Sequence, residues 1–215
     1  DLVNVLLRYE TYEVAADEIG RTLDLLRSLH ENRSCFRREV GPVASFLPSN
    51  QPLYSLACFG VVPALMASEV HVRPPLAMRG FFFELPALLG FCDVLPNLRF
   101  SVQPRAEFVR DRAAVQSDPD RRTVRPVTDA VIFTGTAANA QRVRRSFHRS
   151  TLFISNGSGH NPTVVTDSAE TEKAVESAMR VQLYNQGQDC ANPNAILVHS
   201  AVYDEFAAAL REAVR

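Results

Sequence analysis

The sequence predicts an α/β fold, a parallel sheet with flanking helices followed by the start of a second α/β domain. Short runs of β-branched and apolar residues alternate along the chain with segments in which apolar residues recur at helical spacing. Several of the short runs end in turns of proline, asparagine or glycine that lead into a helix. This alternation is typical of parallel sheets, because parallel strands need a crossover connection, usually a helix.

The composition is that of an ordinary globular protein, with 46% hydrophobic and 22% charged residues in a chain of 215. The net charge of −1 gives no reason to expect nucleic acid or a membrane surface as a partner. No apolar run is long enough to cross a bilayer, and the beginning of the chain lacks a signal-peptide pattern. The four cysteines are far apart without metal-ligand spacing, so we expect no metal site and a reducing, cytoplasmic location.

The first 34 residues are predicted to be helical, and Glu10, Glu13 and Glu18 are expected to be solvated on these helices. A strand over residues 41–47 then ends in a loop where two prolines bracket Asn50. In open α/β sheets ligands bind at such strand ends. The alternative is that Asn50 only caps the helix that follows, which asparagine does well.

The remaining chain continues the same alternation. Further helices are predicted over residues 53–66, 79–89, 137–147, 203–214 and from about 168 to 183, and strands over 69–73, 98–102, 131–134, 151–154, 163–166 and 195–199. Phe81, Phe82 and Phe83 are expected in the core, and residues 111–125 are expected to form a polar surface excursion. The turn at Gly135 joins a strand to a helix, an arrangement in which helix amides can meet phosphate.

Cys190 lies in a small polar turn between the helix that ends near residue 183 and the strand at 195–199. A thiol held between two regular elements has a rigid position, which suits a nucleophile. The alternative is an inert packing cysteine, like most free cysteines in proteins.

Four motifs stand in a fixed order and together resemble the aldehyde dehydrogenase superfamily. They are Pro-Ser-Asn-Gln-Pro-Leu from residue 48, Val-Arg-Pro-Pro from residue 72, Phe-Thr-Gly-Thr from residue 133, and Asn-Gln-Gly-Gln-Asp-Cys, which ends at Cys190. The resemblance covers nearly the whole chain, and the cysteine and Phe-Thr-Gly motifs are its most specific parts. It implies a Rossmann-like dinucleotide-binding domain over residues 1–150 and the beginning of a catalytic domain, carrying Cys190, over residues 151–215.

The resemblance also implies a mechanism and a set of site residues. Cys190 would attack an aldehyde as a thiolate, and the Asn50 side-chain amide and the Cys190 backbone N–H would hold the oxyanion. NAD or NADP would be the cofactor. The resemblance assigns cofactor contacts to Ser49, Arg73, Pro75, Phe133, Gly135 and Thr136.

Asn156 departs from the family pattern, which has a glutamate general base at this position. An amide cannot accept a proton near neutral pH, so hydrolysis of a thioester should be slow. Asparagine at this position resembles the coenzyme-A-acylating branch, in which a thiol substrate resolves the thioester. Many family members have a ribose-binding glutamate at the position of Leu76, and its loss, with Arg73 and Arg79 nearby, favours NADP. The alternative is a degraded cofactor site.

Family members are much longer than this chain, so three functions stay open: an aldehyde dehydrogenase, an acylating variant, and an inactive homologue retained as a binding or structural subunit. The expected partners are a small-molecule aldehyde and either further copies of the chain or the second half of the protein.

Overall fold

The computed structural model describes residues 1–37, 39–118 and 123–215. The chain divides into two compact units, Asp1–Gly157 and Ser158–Arg215. No helix among the described residues is long and apolar enough to span a membrane.

Helices and strands alternate along most of the described chain. The helices are α1 (Leu2–Leu6), α2 (Tyr12–Ser28), α3 (Pro52–Leu56), α4 (Val62–Ala64), α5 (Arg79–Leu89), α6 (Phe91–Val94), α7 (Arg105–Arg112), α8 (Ala137–Arg144), α9 (Thr171–Leu183) and α10 (Tyr203–Ala213). The strands are β1 (Val43–Phe46), β2 (Val70–Arg73), β3 (Leu98–Phe100), β4 (Val115–Asp118), β5 (Thr123–Pro126), β6 (Ala130–Thr134), β7 (Leu152–Asn156), β8 (Thr163–Val165) and β9 (Ile196–Val198).

The first unit contains a five-stranded sheet in the order β3-β2-β1-β6-β7. Every neighbouring pair in this sheet is parallel, with Phe46 of β1 opposite Arg73 of β2 on one side and Phe133 of β6 on the other. This confirms the predicted α/β class. The order is that of a doubly wound sheet, because the chain runs outward from β1 to β3 and then returns to the centre to add β6 and β7.

Both faces of this sheet are covered. Along β6, Ala130 and Ile132 face a large apolar cluster with Phe81 and other residues of the N-terminal helices and α5, whereas Val131 and Phe133 face a second cluster with Phe108. The alternation follows from the two-residue period of a strand. β6 is buried on both faces, which explains why its sequence is an apolar run without polar alternation.

The second unit is smaller. Its parallel strands β8 and β9 pair from Thr163 opposite Ile196 to Val165 opposite Val198. Its apolar cluster is centred on Val165, Val175 and Phe206, which come from β8, α9 and α10.

The structure corrects several sequence-based expectations. Phe83 is 81% exposed, so only Phe81 and Phe82 of the three phenylalanines belong to the core. Residues 111–125 are not wholly irregular: they contain the end of α7 and the antiparallel hairpin of β4 and β5. The part of this segment at residues 119–122 lies outside the described residues. Helix α9 begins at Thr171, later than expected.

Two of the glutamates that were expected to be solvated are buried. Glu18 on α2 is fully inaccessible, and Glu10, which precedes α2, is 7% exposed. Only Glu13 is exposed as expected. The helical apolar pattern did not reveal this burial, because the backbone N–H groups that donate to these carboxyls come from residues 51 and 54, far along the chain.

Candidate functional site

The chain reverses its direction across the sheet between β1 and β6, and ligands of doubly wound folds bind at this kind of position. β1 connects to β2 on one side, while β6 connects to β7 on the other. Both strands point the same way, so the loop after β1 and the turn after β6 lie at the same carboxyl edge of the sheet. The loop contains Asn50 and the turn contains Gly135.

The loop after β1 has a defined backbone. Gln51 has a left-handed φ of 48°, which is uncommon for a residue other than glycine, and Pro52 begins α3. The Gln51 backbone N–H donates to the Glu10 side chain at 2.9 Å. The N-cap of α3 is Gln51, so the structure does not support the alternative in which Asn50 is the cap. Asn50 is half-buried, and Ser49 beside it is exposed.

The turn after β6 requires glycine at position 135. Gly135 has a φ of 151°, and a Cβ there would lie 3.1 Å from the Phe133 ring. Its N–H donates to the Asn156 backbone oxygen at 3.0 Å, which ties this turn to the end of β7. Thr136 is the N-cap of α8, where its hydroxyl oxygen accepts the Asn139 N–H at 3.4 Å.

Asn156 lies at the carboxyl end of β7, opposite Thr134 of β6. Its side-chain nitrogen Nδ2 is buried and has no hydrogen-bond partner within the described chain. An unsatisfied buried donor costs about 1–3 kcal/mol, so this amide is placed to donate to a ligand or water. The hydroxyl of Thr134 is likewise buried without a partner there.

Three arginines gather beyond the carboxyl ends of β2 and β3. Burial lowers the pKa of Arg73, and the nearby charges of Arg105 and Arg79 lower it further. The Arg73 Nε atom is buried without a partner in the described chain, while Arg79 donates to the Val102 carbonyl at 2.6 Å. A concentration of positive charge of this kind favours an anion. Pro75, two residues after β2, is half-buried.

Cys190 belongs to the second unit, where it is exposed in a turn that follows α9. The Asn161 side-chain amide donates to the Cys190 backbone oxygen at 2.6 Å, and the Asn161 N–H donates to Asn194 at 2.6 Å. Gly159, with a φ of 79°, allows this close approach, because a Cβ there would lie only 2.4 Å from the Cys190 oxygen. Gly159 and Asn161 therefore fix the cysteine turn within the second unit.

The chain between α9 and Cys190 is tightly wound. Asn185, Gln186 and Gly187 all have positive φ values, of 48°, 56° and 77°. Asn185 is buried, and its backbone oxygen accepts the Gln188 N–H at 3.0 Å. Non-glycine residues in this region carry strain, which is often found at functional sites.

The predicted site residues thus fall into two groups. The first unit carries Ser49, Asn50, Arg73, Pro75, Phe133, Gly135, Thr136 and Asn156 at or after the carboxyl ends of its strands, except that Phe133 is one residue inside β6 and buried in the core. Cys190 stands in the second unit. The described residues contain no group of three or more metal-ligating side chains.

Sequence reasoning missed the parts played by Gly159, Asn161 and Asn194. Residues 155–162 are rich in turn-forming residues, which indicates a loop but not the group that the loop contacts. The signal was the Gly-His-Asn-Pro run itself, but its contact with the cysteine turn depends on a hydrogen bond across 29 positions.

The first unit is thus a doubly wound α/β sheet with open strand ends, and the second unit carries the cysteine turn. Residues 120–215 match the model of the aldehyde dehydrogenase family. The chain is 32% identical over 211 residues to aldehyde dehydrogenase 1 of Tanacetum cinerariifolium, covering 94% of this chain and 39% of that one. It is 30% identical over 186 residues to a probable succinate-semialdehyde dehydrogenase [NADP(+)] of Sinorhizobium fredii, covering 83% and 35%.

The fold agrees with solved structures. The crystal structure of an aldehyde dehydrogenase from Brucella melitensis biovar abortus superposes with a TM-score of 0.82 at 20% identity, covering 100% of this chain and 47% of that one. The chain belongs to the aldehyde dehydrogenase family, and it spans about a third to a half of the length of these relatives.

Proposed function

We propose that this chain carries the dinucleotide site and the nucleophile of an NAD(P)-dependent aldehyde dehydrogenase that oxidises an aldehyde through Cys190. The observation that carries the proposal is the exposed cysteine turn, which the Asn161 side chain holds in place. Membership of the aldehyde dehydrogenase family and the open turn at Gly135 support it.

In the proposed reaction the Cys190 thiolate attacks the aldehyde carbon, forming a C–S bond and leaving the electron pair on the carbonyl oxygen. The Asn50 amide and the Cys190 N–H have the role of stabilising this oxyanion, since both are donors that need no change of charge. A dinucleotide held by the first unit would accept the hydride that the carbon loses. The C=O bond reforms, and a thioester to Cys190 results.

The residues of the first unit fit a dinucleotide. The absence of a side chain at Gly135 leaves the turn before α8 open, and Thr136 begins a helix whose N-terminal amides attract phosphate. Arg73 offers a buried Nε without a partner in the described chain and has two further arginines beside it. This charge supports NADP, whose 2′-phosphate needs cations, and one relative's name specifies NADP(+).

Asn156 supports a second candidate, a coenzyme-A-acylating dehydrogenase. Its amide has no basic lone pair with which to activate water, so release of the acyl group needs another nucleophile. A thiol such as coenzyme A would attack the thioester carbon and regenerate the Cys190 thiolate. The third candidate is a non-catalytic subunit, which is also favoured by asparagine at position 156 in place of a glutamate base.

The proposal also includes a protein partner for this chain, which is either a further copy of the chain or the remainder of a full-length dehydrogenase. Val164 on β8 and Leu197 on β9 are 66% and 56% exposed. Apolar strand residues that are this accessible are typical of surfaces that pack against other protein.

The test is the alkylation rate of each cysteine, measured by peptide mass spectrometry after short exposure to iodoacetamide, with and without NADP. Cys35 is a matched control because it is also exposed, and burial raises the pKa of the Cys58 thiol. We expect Cys190 to react several-fold faster than Cys35 and NADP to change the rate at Cys190 alone. Equal rates at Cys190 and Cys35, unaffected by cofactor, would favour the non-catalytic subunit.

A further inference from the structure

Two buried carboxyl groups lie behind the loop that carries Asn50. Glu18 comes from the middle of α2 and is fully inaccessible, and Glu10 comes from the turn before α2 and is 7% exposed. Buried carboxyls are rare in proteins unless they are paired. The mechanism proposed above does not use either of them.

Both carboxyls hold backbone amides of the same loop. The Gln51 N–H donates to Glu10 Oε1 at 2.9 Å, and the Tyr54 N–H donates to Glu18 Oε1 at 2.9 Å. The nearby Leu53 N–H also favours the ionised form of Glu18, which lowers its pKa. The first turn of α3 has no side-chain cap of its own, so Glu18 satisfies one of its free amides from a different helix.

The two carboxyls also lie near each other: Glu18 Oε2 is buried and accepts no N–H of the described residues, and the Glu10 carboxyl acts on Glu18 from close by. Two carboxylates can only accept hydrogen bonds, so a bond between them needs a proton on one. Burial, followed by the nearby Glu10 carboxyl, raises the pKa of Glu18 to about 9. Glu18 therefore holds a proton at neutral pH, which it can offer to Glu10.

We propose that Glu10 and Glu18 form a proton-sharing carboxyl pair that positions the loop carrying Asn50. Through the amides on either side of Pro52, the pair fixes the left-handed backbone of Gln51 and hence the direction in which Asn50 projects. The consequence for oxyanion stabilisation rests on the proposed function, whereas the effect on the loop does not.

The other charged and titratable groups around the pair interact with residues other than Glu10 and Glu18. Arg21 of α2 pairs with Asp17 at 2.9 Å, donates to the Gln51 side chain at 3.1 Å and lies 4.9 Å from the centre of the Tyr54 ring. Cys58 and Tyr54, from the helix after the loop, interact with each other. The Coulombic influence on Glu18 comes from Glu10, which favours the protonated form.

Replacement of Glu18 distinguishes a proton-sharing pair from simple packing. In Glu18→Gln the amide oxygen can still accept the Tyr54 N–H, and the amide nitrogen can donate to Glu10 in place of the proton. In Glu18→Ala both contacts are lost. Glu13→Ala, on the exposed face of the same helix, is the matched control.

The experiment measures amide hydrogen exchange at Gln51 and Tyr54 in the full chain at pH 7, without cofactor or aldehyde. We expect Glu18→Ala to lower protection at both amides about tenfold or more, and Glu18→Gln to stay within about twofold of the unmodified chain. Carbon-13 NMR of the glutamate carboxyls is expected to show one group titrating far above its ordinary range, absent in Glu18→Gln.

Two results would overturn the inference: loss of protection in Glu18→Gln as large as in Glu18→Ala, or a Glu18 carboxyl that titrates near its ordinary pKa in the unmodified chain. Because both readouts are made without cofactor, neither depends on the chain being a dehydrogenase. Failure of the proposed function is seen separately, in the alkylation of Cys190.

Discussion

Replacing Glu18 by glutamine is expected to make the chain more resistant to alkaline conditions. Glu18 has a pKa raised from 4.5 to about 9 in the folded state, because it is buried and lies beside the Glu10 carboxyl. Between these two values the folded chain binds one more proton than the unfolded chain. The stabilising contribution is therefore complete below pH 4.5 and is lost as the pH rises towards 9.

The magnitude follows from the size of the pKa shift. One pH unit in this window changes the free energy of unfolding by about 1.4 kcal/mol, so the step from pH 6 to pH 8 costs about 3 kcal/mol. That is a large share of the total stability of roughly 5–15 kcal/mol of a domain. Glu18→Gln carries a neutral side chain of the same size at every pH, so the contribution of residue 18 to the pH dependence of the unfolding free energy disappears.

The assay is urea unfolding followed by far-UV circular dichroism at pH 6 and pH 8, since the chain has no tryptophan to report by fluorescence. We expect the difference in unfolding free energy between Glu18→Gln and the unmodified chain to grow by about 3 kcal/mol, in favour of Glu18→Gln, from pH 6 to pH 8. Glu13→Gln is the control, and it should behave like the unmodified chain at both values. Identical pH dependence in Glu18→Gln and the unmodified chain would refute the reasoning.

Three further substitutions test the packing and the cofactor turn, each by urea unfolding against the unmodified chain. Phe108→Ala should lower stability by about 3–5 kcal/mol, because the ring is only 1% exposed; a loss below about 1 kcal/mol would contradict its place in the core. Thr136→Ala should cost about 0.5–1 kcal/mol through loss of the long cap bond to Asn139, and Thr136→Ser should restore most of it. Gly135→Ala should cost about 1–3 kcal/mol and weaken NADP binding, because residue 135 has a φ of 151° and a Cβ there would contact the Phe133 ring. Unchanged stability and unchanged NADP affinity would show that alanine is not strained at this position.

Much of the fold was predictable from the sequence because local pattern and burial agree. β6 is an apolar run because it is buried on both faces, and the glycine after it marks a turn whose geometry excludes a side chain. The positions of α5, α9 and α10 followed from helical spacing. The predicted bounds of α5 and α10 lie within one residue of the observed ones for these reasons, whereas α7 and the hairpin of β4 and β5 were not predicted.

The contacts that hold the site were not predictable, because they join residues far apart in sequence. Glu18 resembles a solvated helix residue until Tyr54, 36 positions later, donates its N–H to it. The Asn161 bond to Cys190 is of the same kind. A single sequence shows which residues are polar, but it does not show which backbone amides a carboxyl or amide will reach.

The most direct test of a dehydrogenase function is a thermal unfolding titration of the chain with NADP and with NAD. A ligand that binds only the folded state stabilises it by about 2.7 kcal/mol at a hundred times its Kd. The proposal predicts a saturable rise in the unfolding temperature, larger for NADP, with the NADP preference lost in Arg73→Gln and the response unchanged in Cys190→Ala. The absence of a rise with either dinucleotide, on protein that is folded by circular dichroism, would contradict it.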